Sequence, residues 1–110
     1  MATVDFNAIF QELKGAVESL AKEKAGDYWK AAVGDADQFF NKTKDKLERW
    51  TIRLAKGELT PDDFEWLVKG EKDLAEMVLL REAGLTLIRV DEFKTALLDV
   101  VVKTVMGKIA

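Results

Sequence analysis

The sequence contains no cysteine and no histidine among its 110 residues. Without cysteine, disulfide bonds and thiol nucleophiles are excluded. Without histidine, the Ser-His-Asp triad, the Glu-x-x-His di-metal motif of helical bundles and zinc sites of ordinary composition are excluded as well. We therefore expect no enzymatic activity, no metal site and no cofactor.

Residues that interrupt helices are also scarce, since the chain holds one proline and seven glycines. No apolar stretch approaches the ~18 residues that a membrane-spanning helix requires. The first residues lack the basic and then apolar pattern of a signal peptide. Hydrophobic residues make up 48% and charged residues 34% of the chain, a balance typical of folded helical proteins. We predict a single helical domain over residues 1–110 of a cytoplasmic protein.

The charges favour neither sign strongly, because the formal net charge is only −3. Basic residues alternate with acidic ones, as in the lysine-rich stretch from Lys42 to Arg49, which is typical of a solvated helix face. The glycines are scattered singly and form no phosphate-binding loop. Nucleic acid is therefore not an expected partner.

The clearest local signal lies around Thr60. Its hydroxyl can cap a helix, and Pro61 fits the first helical position, where a missing N–H costs nothing. Asp62 and Asp63 then place negative charge at the positive end of the helix dipole. A helix is predicted to begin at residue 61, so the chain must turn just before it.

Two apolar stripes with steps of three and four residues precede this turn, and they differ in phase. The first comprises Phe6, Phe10, Leu13, Val17 and Leu20; the second comprises Trp29, Val33, Ala36, Phe40, Thr43, Leu47, Trp50 and Leu54. A change of phase requires a break, and Gly26 followed by Asp27 supplies a terminating glycine and a new N-cap. Either Thr3 or Asp5 can cap the first helix. Gly34-Asp35 is a rival break, but the second stripe passes through it.

After the turn, one apolar register runs from Phe64 to Ile88, and another runs from Phe93 to Ile109. Gly84 is a candidate C-cap and Asp91 a candidate N-cap, which makes residues 85–90 a connection. Alternatively, residues 85–90 continue as a helix with a kink.

The predicted fold is an all-α antiparallel bundle of about four helices, joined by short links. The predicted helices cover residues 4–24, 28–56, 61–84 and 91–109. The alternative is a two-helix hairpin that pairs with a second copy; arms of about 50 residues would be ~75 Å long.

The last predicted helix is apolar over roughly 200° of its circumference, whereas a surface helix usually buries about 100°. Either this helix lies in the middle of its own bundle and touches three neighbours, or part of its face binds a partner. The candidate interface residues on this helix are Leu98, Val102, Val105, Met106 and Ile109.

A second candidate surface is a minor stripe on the predicted helix 61–84. Its members are spaced by four and three residues: Trp66, Gly70, Asp73, Met77, Leu80 and Gly84. Aromatic and methionine side chains are typical of binding surfaces, and glycine lets another backbone approach closely. We assign Trp66, Gly70, Met77 and Leu80 to a partner interface; alternatively, Trp66 only covers an edge of the bundle.

These observations predict a non-enzymatic helical interaction protein that acts as a homo-oligomer, with a dimer favoured and a different protein as another possible partner. The alternative is a peripheral protein of lipid surfaces, because the N-terminal half resembles exchangeable amphipathic-helix proteins in its alternation of Phe, Trp and Lys. Interfacial helices usually carry an excess of Lys and Arg, and the balanced charge of this chain counts against that alternative.

Overall fold

The computed structural model describes residues 5–109, and this part of the chain contains five α-helices and no β-strand. Short 3-10 turns at Gly26–Tyr28 and Lys72–Leu74 precede the second and fourth helices. The predicted all-α bundle is confirmed. The helices are α1 (Phe6–Ala25), α2 (Trp29–Ala55), α3 (Pro61–Lys69), α4 (Val78–Ala83) and α5 (Leu87–Ile109).

The four arms of the bundle alternate in direction, with α3 and α4 following one another in the third arm. α1 packs against both α2 and α5, while α3 and α4 together form the remaining arm against the same two helices. Lys108 Nζ lies 3.1 Å from Glu12 Oε2, and Arg89 Nη2 donates to the carbonyl oxygen of Lys24 at 3.0 Å, so α1 and α5 run antiparallel. The longest dimension is 47 Å. The alternative hairpin with ~75 Å arms is therefore wrong, because α1 folds back on α2.

The break between the first two helices is confirmed at Gly26, whose φ of 56° is a left-handed conformation that favours glycine. The N–H of Ala8 donates to Asp5 Oδ1 at 3.2 Å, so Asp5 caps α1; the predicted start at residue 4 and the alternative cap Thr3 lie outside the described residues. Asp27 lies in the 3-10 turn and does not cap α2, so that prediction was wrong. α2 continues through Gly34-Asp35 without a break.

The two predicted N-terminal stripes face the core. All members of the first are buried, and those of the second are buried or half-buried. The rings of Phe10 and Phe40 meet edge-to-face with centroids 5.4 Å apart. Two ammonium groups, of Lys14 and Lys44, lie 5.1 and 5.0 Å from the Phe10 centroid. Since Lys14 is on α1 with Phe10, the contacts that cross between α1 and α2 here are the Phe10–Phe40 packing and the cation–π contact of Lys44.

The predicted start of α3 is confirmed. The N–H of Asp63 donates to Thr60 Oγ1 at 3.0 Å, and the N–H of Thr60 donates to Asp63 Oδ2 at 3.3 Å, which forms a capping box around Pro61. Gly57 precedes it with a φ of 77°, as expected for a glycine that ends α2.

We expect Thr60→Ala to lower the free energy of unfolding by about 1 kcal/mol, because the N–H of Asp63 loses its acceptor. Urea denaturation followed by circular dichroism measures the change. Thr60→Ser is the matched control, since it keeps the hydroxyl and should stay close to the original protein. An equal loss of unfolding free energy in Thr60→Ala and Thr60→Ser would show that the hydrogen bond to Thr60 Oγ1 does not stabilise the helix.

The single helix predicted for residues 61–84 is wrong. α3 ends at Lys69, and α4 begins only at Val78. The start of α4 is capped from another helix, since the N–H groups of Leu79 and Leu80 donate to the two carboxylate oxygens of Asp35 at 2.9 and 2.8 Å. This long-range cap satisfies amides that a continuous helix would have bonded to its own carbonyls.

The helix predicted for residues 91–109 starts earlier, at Leu87. Gly84 ends α4 with a φ of 105°, which confirms it as a C-cap. The N–H of Arg89 donates to Thr86 Oγ1 at 3.4 Å, so Thr86 and not Asp91 stands at the start of α5. The connection of residues 85–90 shrinks to Leu85 and Thr86, because the rest of it belongs to α5. Among residues 5–109, no helix combines the length and the apolar composition needed to cross a bilayer.

Candidate interaction surface

Large apolar side chains that remain exposed are the first guide to a binding surface. Within the described residues, the most exposed of these are Trp66, Leu87 and Ile88, with 76%, 73% and 74% of their surface accessible; Tyr28 and Ile52 are about half as exposed. Trp66 stands alone on α3, whereas Leu87 and Ile88 are neighbours in the first turn of α5.

The position of Leu87 and Ile88 at the start of α5 explains why their side chains are exposed to solvent. Gly84 ends α4, and Thr86 immediately begins the next helix, so residues 87 and 88 fall in its first turn. Val90 is the first buried residue of α5, and Phe93 and Leu97 continue its buried face. Ile88 lies on the side of α5 opposite Val90, whereas Leu87 lies three residues before Val90 on the buried side, and both remain exposed in this first turn.

Leu87 also lines an open groove of about 330 Å³ between α5 and the segment that includes α4. The groove, together with the exposed Ile88 that follows Leu87 in the chain, is called the α4–α5 surface. It comprises Glu76, Arg81, Leu87, Ile88, Val90, Asp91 and Lys94.

Charges of both signs surround the apolar centre of this surface. Glu76 lies 3.7 Å from Lys42, and Asp91 lies 3.3 Å from Lys72, so both carboxylates have cations of their own chain nearby. Arg81 and Lys94 make no ion pair within residues 5–109. Glu82 on α4 and Glu92 on α5 are exposed and also unpaired in this part of the chain, but neither lines the groove.

The surface is held firmly at one end. The guanidinium of Arg89 donates to the carbonyl oxygen of Lys24 at 3.0 Å, which ties the first turn of α5 to the last turn of α1. The carbonyl groups at the end of a helix lack partners within it, and a cation is favourable there. Leu87 and Ile88 are therefore presented on an anchored turn.

A second, smaller groove of about 170 Å³ lies between α3 and α5 and is lined by Lys69, Lys72, Thr95, Leu98 and Asp99. Lys69 Nζ donates to Glu65 Oε2 at 2.7 Å. That hydrogen bond and the charge of Glu65 raise the pKa of Lys69, and the nearby charge of Asp99 acts in the same direction. The charges in this groove are already paired within the chain, so it offers less to a partner than the α4–α5 surface.

Comparison of the chain with models of protein families, with curated protein sequences and with solved structures finds no match. Any inference about function therefore rests on the side chains and surfaces of this protein alone. Within residues 5–109, no three acidic side chains converge on a position that could hold a metal ion.

The structure separates the residues that the sequence assigned to a partner interface. Five of these residues are buried in the hydrophobic core of the chain: Met77, Leu80, Leu98, Val102 and Val105. Met106 and Ile109 are half-buried against that core, and Gly70 is exposed at the end of α3. Of the whole set, Trp66 alone is a large side chain that is mostly accessible.

The minor stripe on residues 61–84 does not exist as one line, because the helix breaks after Lys69 and α4 turns Met77 and Leu80 inward. The wide apolar face of the last helix has a similar explanation. α5 contacts α1, α2, α3 and α4, so the alternative of a helix surrounded by its own neighbours accounts for Leu98, Val102 and Val105.

Sequence reasoning missed Leu87 and Ile88, because it placed them in a connection. Thr86 was the signal that could have found them: threonine is a good N-cap, and it stands two residues after a terminating glycine. In a helix that starts at Leu87, Ile88 lies opposite the face of Val90, Phe93 and Leu97, and Leu87 lies in the exposed first turn beside Val90.

Proposed function

We propose that this protein is a non-enzymatic helical interaction protein that forms a homodimer through the α4–α5 surface. The observation that carries the proposal is the adjacent pair Leu87 and Ile88, each about three-quarters exposed beside an open groove. Adjacent apolar side chains in that position cost solubility unless they are covered, and covering them releases the water that they order.

A second copy is the occupant that the charges favour. In a two-fold contact the same patch meets itself, so a residue on one copy faces a different residue of the same patch on the other. The patch carries two cations without an ion pair in residues 5–109, Arg81 and Lys94, and two acids, Glu76 and Asp91, whose nearest cations are lysines at 3.7 and 3.3 Å. Such a surface is complementary to itself, whereas a strongly basic or acidic partner would leave half of these charges repelled.

The contact must reach beyond the two side chains. A stable interface buries about 800 Å² on each partner, and the whole molecule exposes 6503 Å². Leu87 and Ile88 would form its centre, and the groove and the exposed charges of α4 and α5 would form its rim. Central apolar side chains surrounded by polar ones are the usual arrangement of such contacts.

Sedimentation velocity at micromolar to ~100 µM protein tests the proposal. We expect the original protein to sediment as a dimer and the double variant Leu87→Glu/Ile88→Glu to weaken association at least about 30-fold, since each lost central side chain is worth over 1 kcal/mol. Glutamate is chosen because acidic residues in the first turn stabilise a helix, so the fold should persist by circular dichroism.

Trp66→Gln is the matched control, because it also removes a large exposed side chain but lies on α3. It should leave the dimer intact. Loss of association in Trp66→Gln but not in the double variant would move the interface to α3 and contradict this surface. A monomeric original protein at ~100 µM, together with flotation on anionic vesicles that the double variant loses, would favour the lipid-surface function instead.

A further inference from the structure

The link between α3 and α4 is broken even though most of its residues favour helix. Residues 70–77 read Gly-Glu-Lys-Asp-Leu-Ala-Glu-Met and contain no proline. Glutamate, lysine, leucine, alanine and methionine are among the best helix formers. Only a short 3-10 turn, Lys72–Leu74, forms between the two helices. Local preference therefore does not explain the break.

The break also carries backbone strain. Met77, immediately before α4, has a φ of 56° and a ψ of 41°, a left-handed conformation that glycine adopts readily and methionine rarely does. Its side chain is buried. Non-glycine residues keep such a conformation only where the surrounding structure imposes it.

Two adjacent residues of α2, Gly34 and Asp35, contact the start of α4 and hold it next to Met77. The carboxylate of Asp35, 4% exposed, accepts the N–H groups of Leu79 and Leu80 at 2.9 and 2.8 Å. A Cβ on Gly34 would lie 2.7 Å from Leu79 Cδ1, the end of a flexible side chain, so a residue other than glycine there would displace Leu79. Asp35 caps the start of α4, and Gly34 leaves space for Leu79.

We propose that Gly34 and Asp35 form a latch that selects between two conformations of residues 61–84. With the latch engaged, α4 is docked on α2 and the chain is broken at Met77, as in this structure. With the latch released, the segment forms one continuous helix that relieves the strain at Met77 and follows the helical preference of residues 71–77.

The two conformations present different surfaces. Glu76 and Arg81 lie on the moving segment, so the groove of the α4–α5 surface exists only while α4 is docked. In the continuous helix, Met77 and Leu80 leave the core and join the same face as Trp66, because they are then spaced from it at helical intervals. Control of dimerisation by the latch rests on the proposed function, whereas the latch itself does not.

Two variants release the latch in different ways. Asp35→Asn is nearly isosteric but replaces one acceptor oxygen by an amide donor, so one of the two N–H groups loses its partner. Gly34→Ala leaves Asp35 unchanged and places a methyl group against Leu79. The matched controls are Asp37→Asn, the same change at an exposed site of α2, and Gly15→Ala, where a Cβ would meet no heavy atom within 4 Å.

Nuclear magnetic resonance reads out each amide separately. The N–H groups of Glu76, Met77 and Val78 donate no backbone hydrogen bond within residues 5–109, but in a continuous helix each would bond to the carbonyl four residues before it. We expect hydrogen exchange at these three amides to slow at least about twofold in both variants, which corresponds to half of the molecules released. The Cα chemical shifts of residues 71–77 should move towards helical values, and the controls should change neither quantity.

Faster exchange at residues 76–78, or uniformly faster exchange across α1, α2 and α5, would overturn the proposal, because Asp35 would then be only a structural anchor. If Asp35→Asn fails to fold, Gly34→Ala decides: slower exchange at residues 76–78 supports the proposal, whereas unchanged exchange means that Leu79 moves aside while α4 stays docked, and overturns it. Unfolding of both variants without any gain of helix would also overturn it. Sedimentation of the same samples keeps the questions apart: a monomeric original protein refutes the dimer, while the shifts still decide the latch.

Discussion

Replacing Val105 by lysine is expected to unfold the protein. Val105 is fully buried on α5, at 0% exposure, among the apolar side chains of the core. An ammonium group that is moved from water into such a site without a partner costs at least several kcal/mol. Since domains of this size are stable by only about 5–15 kcal/mol, one such group consumes much of that margin. Far-UV circular dichroism and urea denaturation measure the loss.

Trp66→Lys is the control for Val105→Lys, because it introduces the same charge at a side chain that is 76% exposed. We expect it to change the free energy of unfolding by no more than about 0.5 kcal/mol, as is usual for surface substitutions. Retention of full helicity in Val105→Lys, with a loss of self-association, would instead place Val105 in an intermolecular contact and contradict its position in the core.

Replacing Phe40 by alanine is expected to cost about 3–5 kcal/mol of stability, the usual range for a buried phenylalanine. Phe40 is fully buried on α2, and its ring contacts those of Phe10 on α1 and Phe39 on its own helix, with centroids 5.4 and 5.7 Å away. The truncation leaves a cavity and removes both aromatic contacts. The urea midpoint should fall with little change in the denaturant slope.

Phe40→Leu is the matched control, since it keeps most of the volume and loses only the ring. It should cost less than half as much as the alanine variant, because cores tolerate apolar substitutions of similar size. A loss of under about 1 kcal/mol in Phe40→Ala would mean that α1 and α2 do not depend on this aromatic contact.

The sequence predicted those elements whose signals are local. The start of α3 follows from Thr60, Pro61 and Asp63, which act on one another within a single turn. The break at Gly26 follows from a left-handed backbone conformation that few other residues adopt readily. The stripes of α1 and α2 follow from helical periodicity, which relates each side chain to its own helix alone.

The break between α3 and α4 could not be predicted in this way. The composition of residues 70–77 favours a helix, and the group that caps α4 is Asp35, which is 44 residues away from Leu79 in the sequence. From the neighbouring residues alone, Gly34-Asp35 was a candidate break in α2, and nothing indicated that Asp35 caps another helix. Its role exists only after the chain has brought α2 and α4 together.

None of the residues of the α4–α5 surface was assigned to a partner interface from the sequence. Trp66, which was, is exposed but lies on α3, outside that surface. The wide apolar face of α5 was ambiguous from the sequence, because the fraction of a helix that can be buried depends on how many neighbours surround it. Leu87 and Ile88 could be assigned to the first turn of α5 only after the structure showed that Thr86 caps α5 in place of Asp91.

The sequence by itself determined that the protein is helical, where α1 ends, where α2 begins and ends, where α3 begins, and which face of α1 and α2 is apolar. These properties depend on backbone conformation and on contacts within one or two turns. Tertiary structure decided which apolar side chains remain for a partner and where the third arm of the bundle breaks. Both depend on groups that are distant in the chain, and for the broken arm a buried carboxylate and close packing outweigh local helical preference.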